Sequence, residues 1–173
     1  MELFVAYEFL LRWIHFLSGI TWIGLLYYFN FVQAPFMGKA EAVTKTDITT
    51  KMAPNSLWWF RWSAMFTVIA GILIIVNRIS MGGMGIMATS WGVSISIGGI
   101  LGLIMWFNVW FIIWPNQKVI IATTTSAAAA GKAPEGLGSR PRVAFLASRT
   151  NTMLSIPMLF FMAAASHGPW GLF

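Results

Sequence analysis

Nothing constrains this chain more than three long apolar stretches that are nearly free of charge. Trp13–Val32 and Trp91–Trp114 contain no Lys, Arg, Asp or Glu, and Trp58–Val76 contains only Arg61. A helix needs about 20 apolar residues, at ~1.5 Å each, to cross a hydrocarbon core ~30 Å thick. Each stretch therefore reads as a membrane span. Arg61 lies close enough to the end of its stretch to extend into the headgroup region. The whole composition agrees, with 58% hydrophobic and 9% charged residues, whereas a soluble domain carries about 25% charged residues. A soluble globular fold is excluded, and stretches this long are not barrel strands.

A fourth span is expected near the end. Residues 150–173 carry no Lys, Arg, Asp or Glu, but the strongly apolar part, Met153–Ala165, is short and holds Pro157. That helix should begin before Arg149 and bend, with a re-entrant or interfacial segment as the alternative. The expected fold is an all-α integral membrane protein, four antiparallel transmembrane helices in a bundle, forming a single membrane domain over residues 1–173. Its helices are expected over 5–33, 57–77, 90–114 and 144–167, and its two long loops over 34–56 and 115–143. The stretch IATTTSAAAAGKAPEGLGSRPR in the second loop is rich in small residues and reads as a connector.

Charge sets the expected orientation. Lys39, Lys45, Lys51 and Arg61 cluster between the first two spans, and Lys118, Lys132, Arg140, Arg142 and Arg149 between the last two. Only Arg12 and Arg78 fall on the other side. Lys and Arg are retained on the cytoplasmic face, so both termini are expected on the periplasmic side and the long loops in the cytoplasm. The net charge of +6 is accounted for by this asymmetry, and no nucleic-acid partner is expected. Tryptophans 13, 58, 59, 91, 114 and 170 flank the spans, where amphipathic rings anchor at headgroup level. The acidic start, MELFVAYEFLLR, has no small-residue cleavage site after a short apolar core, so no cleavable signal is expected.

The chemistry open to the chain is narrow. With no cysteine there is no disulfide, thiolate metal site or CxxCH haem attachment. The acids Glu2, Glu8, Glu41, Asp47 and Glu135 all lie outside the long apolar runs, which excludes a carboxylate-bridged di-metal site and a mid-membrane acidic proton relay. No nucleophile–base pair or phosphate-binding loop is present.

What remains is two histidines. His15 stands just inside the outer end of the first span and His167 at the outer end of the fourth, so the orientation derived from lysines and arginines puts both at similar depth. Two histidines on facing helices are a common way to hold a haem iron. Ser18 and Gly19 leave room beside the imidazole of His15, and Trp22 one turn further is placed to floor a flat ring. Arg12 and Arg78 are candidate partners for haem propionates; alternatively Arg12 pairs with Glu8 four residues earlier. The plainer reading is a histidine that hydrogen-bonds a carbonyl, with small residues beside it for helix packing.

Other features carry weaker signals. Met81, Met84 and Met87 recur every three residues in the outer loop; thioethers select Cu(I), but in a chain with eleven methionines copper is not expected. Ser94, Gly98 and Gly102 form a small-residue stripe for close helix approach. Asn30, Asn77 and Asn108 need partners in lipid. Asn116, Gln117, Arg149, Thr150 and Asn151 gather near the inner helix ends, as a substrate or quinone-headgroup pocket or as caps that tie the ends down.

Three stretches resemble the membrane domain of bacterial membrane-bound urate oxidases (urate hydroxylases): RWIHFLSGITWIGLLYYFNFVQAPF, WFNVWFIIWPNQKVI and ASRTNTMLSIPMLFFMAAASHGPW. His15, Trp22 and Gly24 also form an H-x6-W-x-G pattern similar to the first helix of small haem-binding protoporphyrinogen oxidases and copper-resistance membrane proteins. The resemblance implies a multi-pass protein of the bacterial inner membrane, with b-type haem and a c-type cytochrome as partner. Urate-oxidising members carry a cytochrome c domain after the membrane domain, and this chain, without CxxCH, reads as a short stand-alone form. The expected function is a small subunit that binds haem b through His15 and His167 and transfers electrons among other membrane subunits. A cofactor-free accessory subunit of a respiratory or oxygenase complex is the alternative, and an oxidase of urate or a porphyrin the third.

Overall fold

The computed structural model describes residues 2–166, and these are helical apart from short connections. There is no strand among them. The first long helix begins with Glu2–Tyr27, passes through a π-helical segment, Tyr28–Gln33, and ends with Ala34–Lys39. The second runs Ala42–Gly82, the third Ser90–Ala129 and the fourth Arg140–Ser166. Three of them are long and apolar enough to cross a membrane, over Val5–Lys39, Ala42–Gly82 and Ser90–Ala129. The fourth begins at Arg140, ahead of Arg149 as expected, and continues through Pro157.

The helices reach much further than the apolar stretches. Residues 34–56, expected as a loop, are helical except at Ala40 and Glu41, and the third helix continues to Ala129 before the open connection 130–139. At 41 and 40 residues the second and third helices extend ~60 Å, about twice the thickness of a hydrocarbon core. Local sequence favours this: Asp47 and Lys51 pair at 2.7 Å across one turn, and Ala127–Ala129, at the end of the third helix, are of the residue type with the highest helix propensity. Reading polarity and small size as a loop signal overlooked both.

A π-helical segment interrupts each of the first three helices, at Tyr28–Gln33, Ile48–Met52 and Asn108–Ile113. Each is followed, two residues on, by a proline: Pro35, Pro54 and Pro115. A proline has no N–H to give to the preceding turn, and its ring pushes on the carbonyl four residues back, so the turn before it opens. Side chains also bond back to carbonyls in these stretches. Asn116 Nδ2 donates to Ile112 O at 2.7 Å, and Asn30 Nδ2 donates to Leu26 O at 2.9 Å.

The first helix packs along the second, and the third along the fourth. Gly98 lies where the latter pair is tightest, since a Cβ there would come within 3.2 Å of Met162 Cε and 3.3 Å of Phe161 Cβ. The stripe Ser94, Gly98 and Gly102 is buried. One apolar core joins the pairs, built from Trp22, Leu26, Leu57, Phe60, Ala64, Met105, Val109, Ile113, Ala147 and Met158. Phe9, Phe16, Phe31, Phe66, Phe111 and Phe160 are exposed on the outside. This is the arrangement for a protein whose outer solvent is as apolar as its interior.

Candidate functional site

His15 is held between the first two helices. Its Nδ1 lies 2.8 Å from the carbonyl oxygen of Thr67. A carbonyl can only accept, so Nδ1 carries the proton and Nε2 bears the free lone pair. Nε2 has no hydrogen-bond partner among the described residues. Gly71 makes room for the ring, because a Cβ at that position would stand 3.1 Å from His15 Cε1 and 3.2 Å from Nδ1. Ser18 donates to Ile14 O at 2.6 Å and accepts from Thr67 Oγ1 at 3.0 Å, which ties the two helices together beside the histidine. Gly19 faces Thr67, whose Cγ2 would lie 3.9 Å from an added Cβ. The space that Ser18 and Gly19 open is therefore filled by the second helix.

Three other expected site residues lie elsewhere. Trp22, expected beneath a flat ring, is only 2% exposed and belongs to the core; its Nε1 is buried without a partner. Arg12 and Arg78 both bind one carboxylate: Arg12 Nη2 is 2.8 Å and Arg78 Nη2 2.9 Å from Glu8 Oε1. Arg78 Nε adds a third bond at 3.0 Å, and its guanidinium lies over the ring of Trp91 at 4.6 Å. Two cations sharing one acid leave one net positive charge in the cluster of Glu8, Arg12 and Arg78. His167 lies outside the described residues.

Of Met81, Met84 and Met87, the first two are exposed. No group of three His, Cys, Asp or Glu that could hold a metal ion occurs among the described residues.

Toward the other end of the helices the polar residues form two further groups. Asn108 Nδ2 donates to Asn151 Oδ1 at 2.8 Å, and Asn151 Nδ2 donates to Met105 O at 2.9 Å, a link between the third and fourth helices in which Asn151 and Met105 are buried and Asn108 half-buried. The first helix meets the fourth at Tyr27 and Asn30. Tyr27 Oη and Ser155 Oγ are 2.9 Å apart, and Asn30 Nδ2 donates to Ser148 Oγ at 2.8 Å. Around Asn30 is a cavity of about 220 Å³, bordered also by Gln33, Thr49, Gln117 and Ser148. Of Asn116, Gln117, Arg149, Thr150 and Asn151, Gln117 reaches this cavity and Asn151 is fully buried. Arg149 lies over the ring of Phe145 at 5.5 Å.

Thr67, Gly71, Gln33, Thr49 and Ser148 were not singled out from the sequence. Gly71 had a signal, since a glycine in the middle of an apolar helix marks close approach. Thr67 contributes a backbone carbonyl, which every residue has, and no side-chain pattern could announce it.

The structure thus belongs to the class of all-helical proteins with several segments long and apolar enough to cross a membrane. Residues 83–171, just over half of the chain, match the family model described as urate oxidase N-terminal, and the chain belongs to that family. The match takes in the third and fourth helices with the Asn108–Asn151 link; His15 precedes it. No curated protein and no solved structure matched.

Proposed function

We propose that this chain is a subunit of the bacterial inner membrane whose four helices cross as a bundle with both termini in the periplasm. It holds b-type haem through His15 of the first helix and His167, and passes electrons within a larger complex that includes a c-type cytochrome. The observation that carries this reading is the tautomer of His15: Nδ1–H is committed to Thr67 O, as the second nitrogen of a metal-bound histidine usually is to a carbonyl or carboxylate. Nε2 is thereby the ligand atom. Spacing along the sequence favours a similar depth for the two histidines. The first helix meets the fourth at Tyr27 and Ser155; His15 precedes Tyr27 by twelve residues and His167 follows Ser155 by twelve.

A bound haem would supply a one-electron couple, which no side chain of this protein offers. The chain's own part is to fix the imidazole, through Thr67 O and the Gly71 gap. It also supplies positive charge in Arg12 and Arg78, which propionates would share with Glu8. A reduced-minus-oxidised optical spectrum of the chain purified from haem-replete membranes tests the reading. A b-type band is expected in the native protein and lost in both His15→Ala and His167→Ala. A native chain without the band, or a band that survives both substitutions, overturns it.

Family membership favours a second reading, in which the chain takes part in urate oxidation. Urate turnover by the purified chain with an added electron acceptor tests this, and its absence excludes the chain as the oxidase by itself.

A further inference from the structure

All three π-helical segments border the cavity at Asn30. Phe60 of the second helix and Ile113 of the third line it, and the residues that follow these two, Arg61 and Trp114, meet at the same level. The central carbon of the Arg61 guanidinium lies 3.4 Å from the centroid of the Trp114 ring and 5.6 Å from that of Trp110. Arg61 is the only Lys, Arg, Asp or Glu in the three apolar stretches, so it is the one charge they have to accommodate.

Two tryptophan faces attract this cation but do not neutralise it. Its Nε donates to Leu57 O at 3.2 Å. Neither Nη atom has a partner among the described residues, and neither is sealed inside the protein. Glu8 is taken by Arg12 and Arg78, and Asp47 by Lys51; no carboxylate is within ion-pair distance of Arg61. Trp114 Nε1 is a second unsealed donor without a partner. One turn beyond Trp114, on the same face of the third helix, stands Lys118, exposed and also without an acid. This flank therefore offers donors and positive charge with no anion of its own, and a guanidinium fork matches a phosphate. Beside it, Trp62 touches Trp110 at 5.6 Å and Phe66 at 6.2 Å between centroids. Trp62 and Phe66 are exposed, and they extend the flank from Arg61 toward the middle of the apolar stretch.

We infer that Arg61, Trp114 and Lys118 bind the phosphate of an anionic phospholipid, whose acyl chains lie along Trp62 and Phe66. A zwitterionic choline head group would bring a further cation to two that lack an acid, and a free phosphate would leave the apolar flank unused. The site rests on the membrane placement proposed above and is independent of haem.

Native mass spectrometry of the full chain released from detergent micelles tests the inference, with phosphatidylglycerol or phosphatidylcholine of the same acyl chains added. Phosphatidylglycerol should be retained about tenfold more tightly, each cation near an anionic head group contributing about fivefold. Arg61→Gln and Lys118→Gln should each lower that preference about threefold or more; Lys118 is exposed, so its substitution disturbs no packing and guards against an Arg61 variant that misfolds. Lys132→Gln, in the connection after the third helix, should leave the preference unchanged, and inorganic phosphate should not compete. The site is overturned if the two lipids are retained alike, if the preference survives either substitution, or if Lys132→Gln lowers it equally. Displacement by inorganic phosphate overturns the lipid as occupant. A chain that stays in solution without detergent overturns the membrane placement too, which separates that failure from failure of the site alone.

Discussion

His15 and Gly71 form a lock of two residues on neighbouring helices, and it sets opposing effects against each other. Replacing a helix-interior glycine by alanine is worth roughly 0.5–1 kcal/mol in backbone entropy. At Gly71 the new methyl would press on the imidazole at 3.1 Å, and overpacking of this kind costs about 1–3 kcal/mol. Gly71→Ala is expected to destabilise the protein by about 1 kcal/mol, measured by reversible unfolding in detergent. It should also displace the His15 ring, read as a change in its NMR signals. At Gly24 no atom lies within 4 Å of the added Cβ, so Gly24→Ala should be neutral or stabilising by up to about 0.5–1 kcal/mol. Equal responses at the two positions would show that the gap at Gly71 is not fitted to the ring.

Between elements, the third and fourth helices are joined by a contact of each kind used in membranes, small-residue packing and side-chain hydrogen bonding. Gly98→Leu would drive a branched side chain into Met162 and Phe161 and should cost about 1–3 kcal/mol. Asn151→Leu removes the bonds to Asn108 and to Met105 O and leaves the half-buried Asn108 amide without this partner, while Met105 O keeps its bond from the Asn108 backbone N–H. Its expected cost is again about 1–3 kcal/mol. Unfolding of single and double variants checks both; additive effects are expected only if the two sites do not share a shift of the helix. The prolines belong to this scale too. Each of Pro35, Pro54 and Pro115 was visible as a residue, but their joint effect depends on the three opened turns lying at one level.

For the whole molecule, the basic residues Lys39, Lys45, Lys51, Lys118 and Lys132 lie on the helical extensions and the 130–139 connection. The proposed orientation is directly testable because the chain has no cysteine. A single cysteine placed at Gly85, between the second and third helices, should react with a membrane-impermeant maleimide added to intact cells. One at Gly131 should react only after the membrane is opened. The reverse pattern would invert the topology.

The sequence by itself determined the helical class and three segments long and apolar enough to cross a membrane, because apolar length and charge scarcity act residue by residue and need no neighbour, and its motifs carried the family. It also singled out His15, the sole histidine within the three clear spans. It did not determine how far the helices run, since helical extensions and loops share the same polar composition. Only the tertiary structure decided that Nδ1 of His15 is spent on Thr67 and that Arg12 and Arg78 share Glu8. It alone brought Asn30, Gln33, Thr49 and Gln117 around one cavity. These depend on the rotation and register of packed helices, which are set by where glycines let backbones close and prolines make turns open.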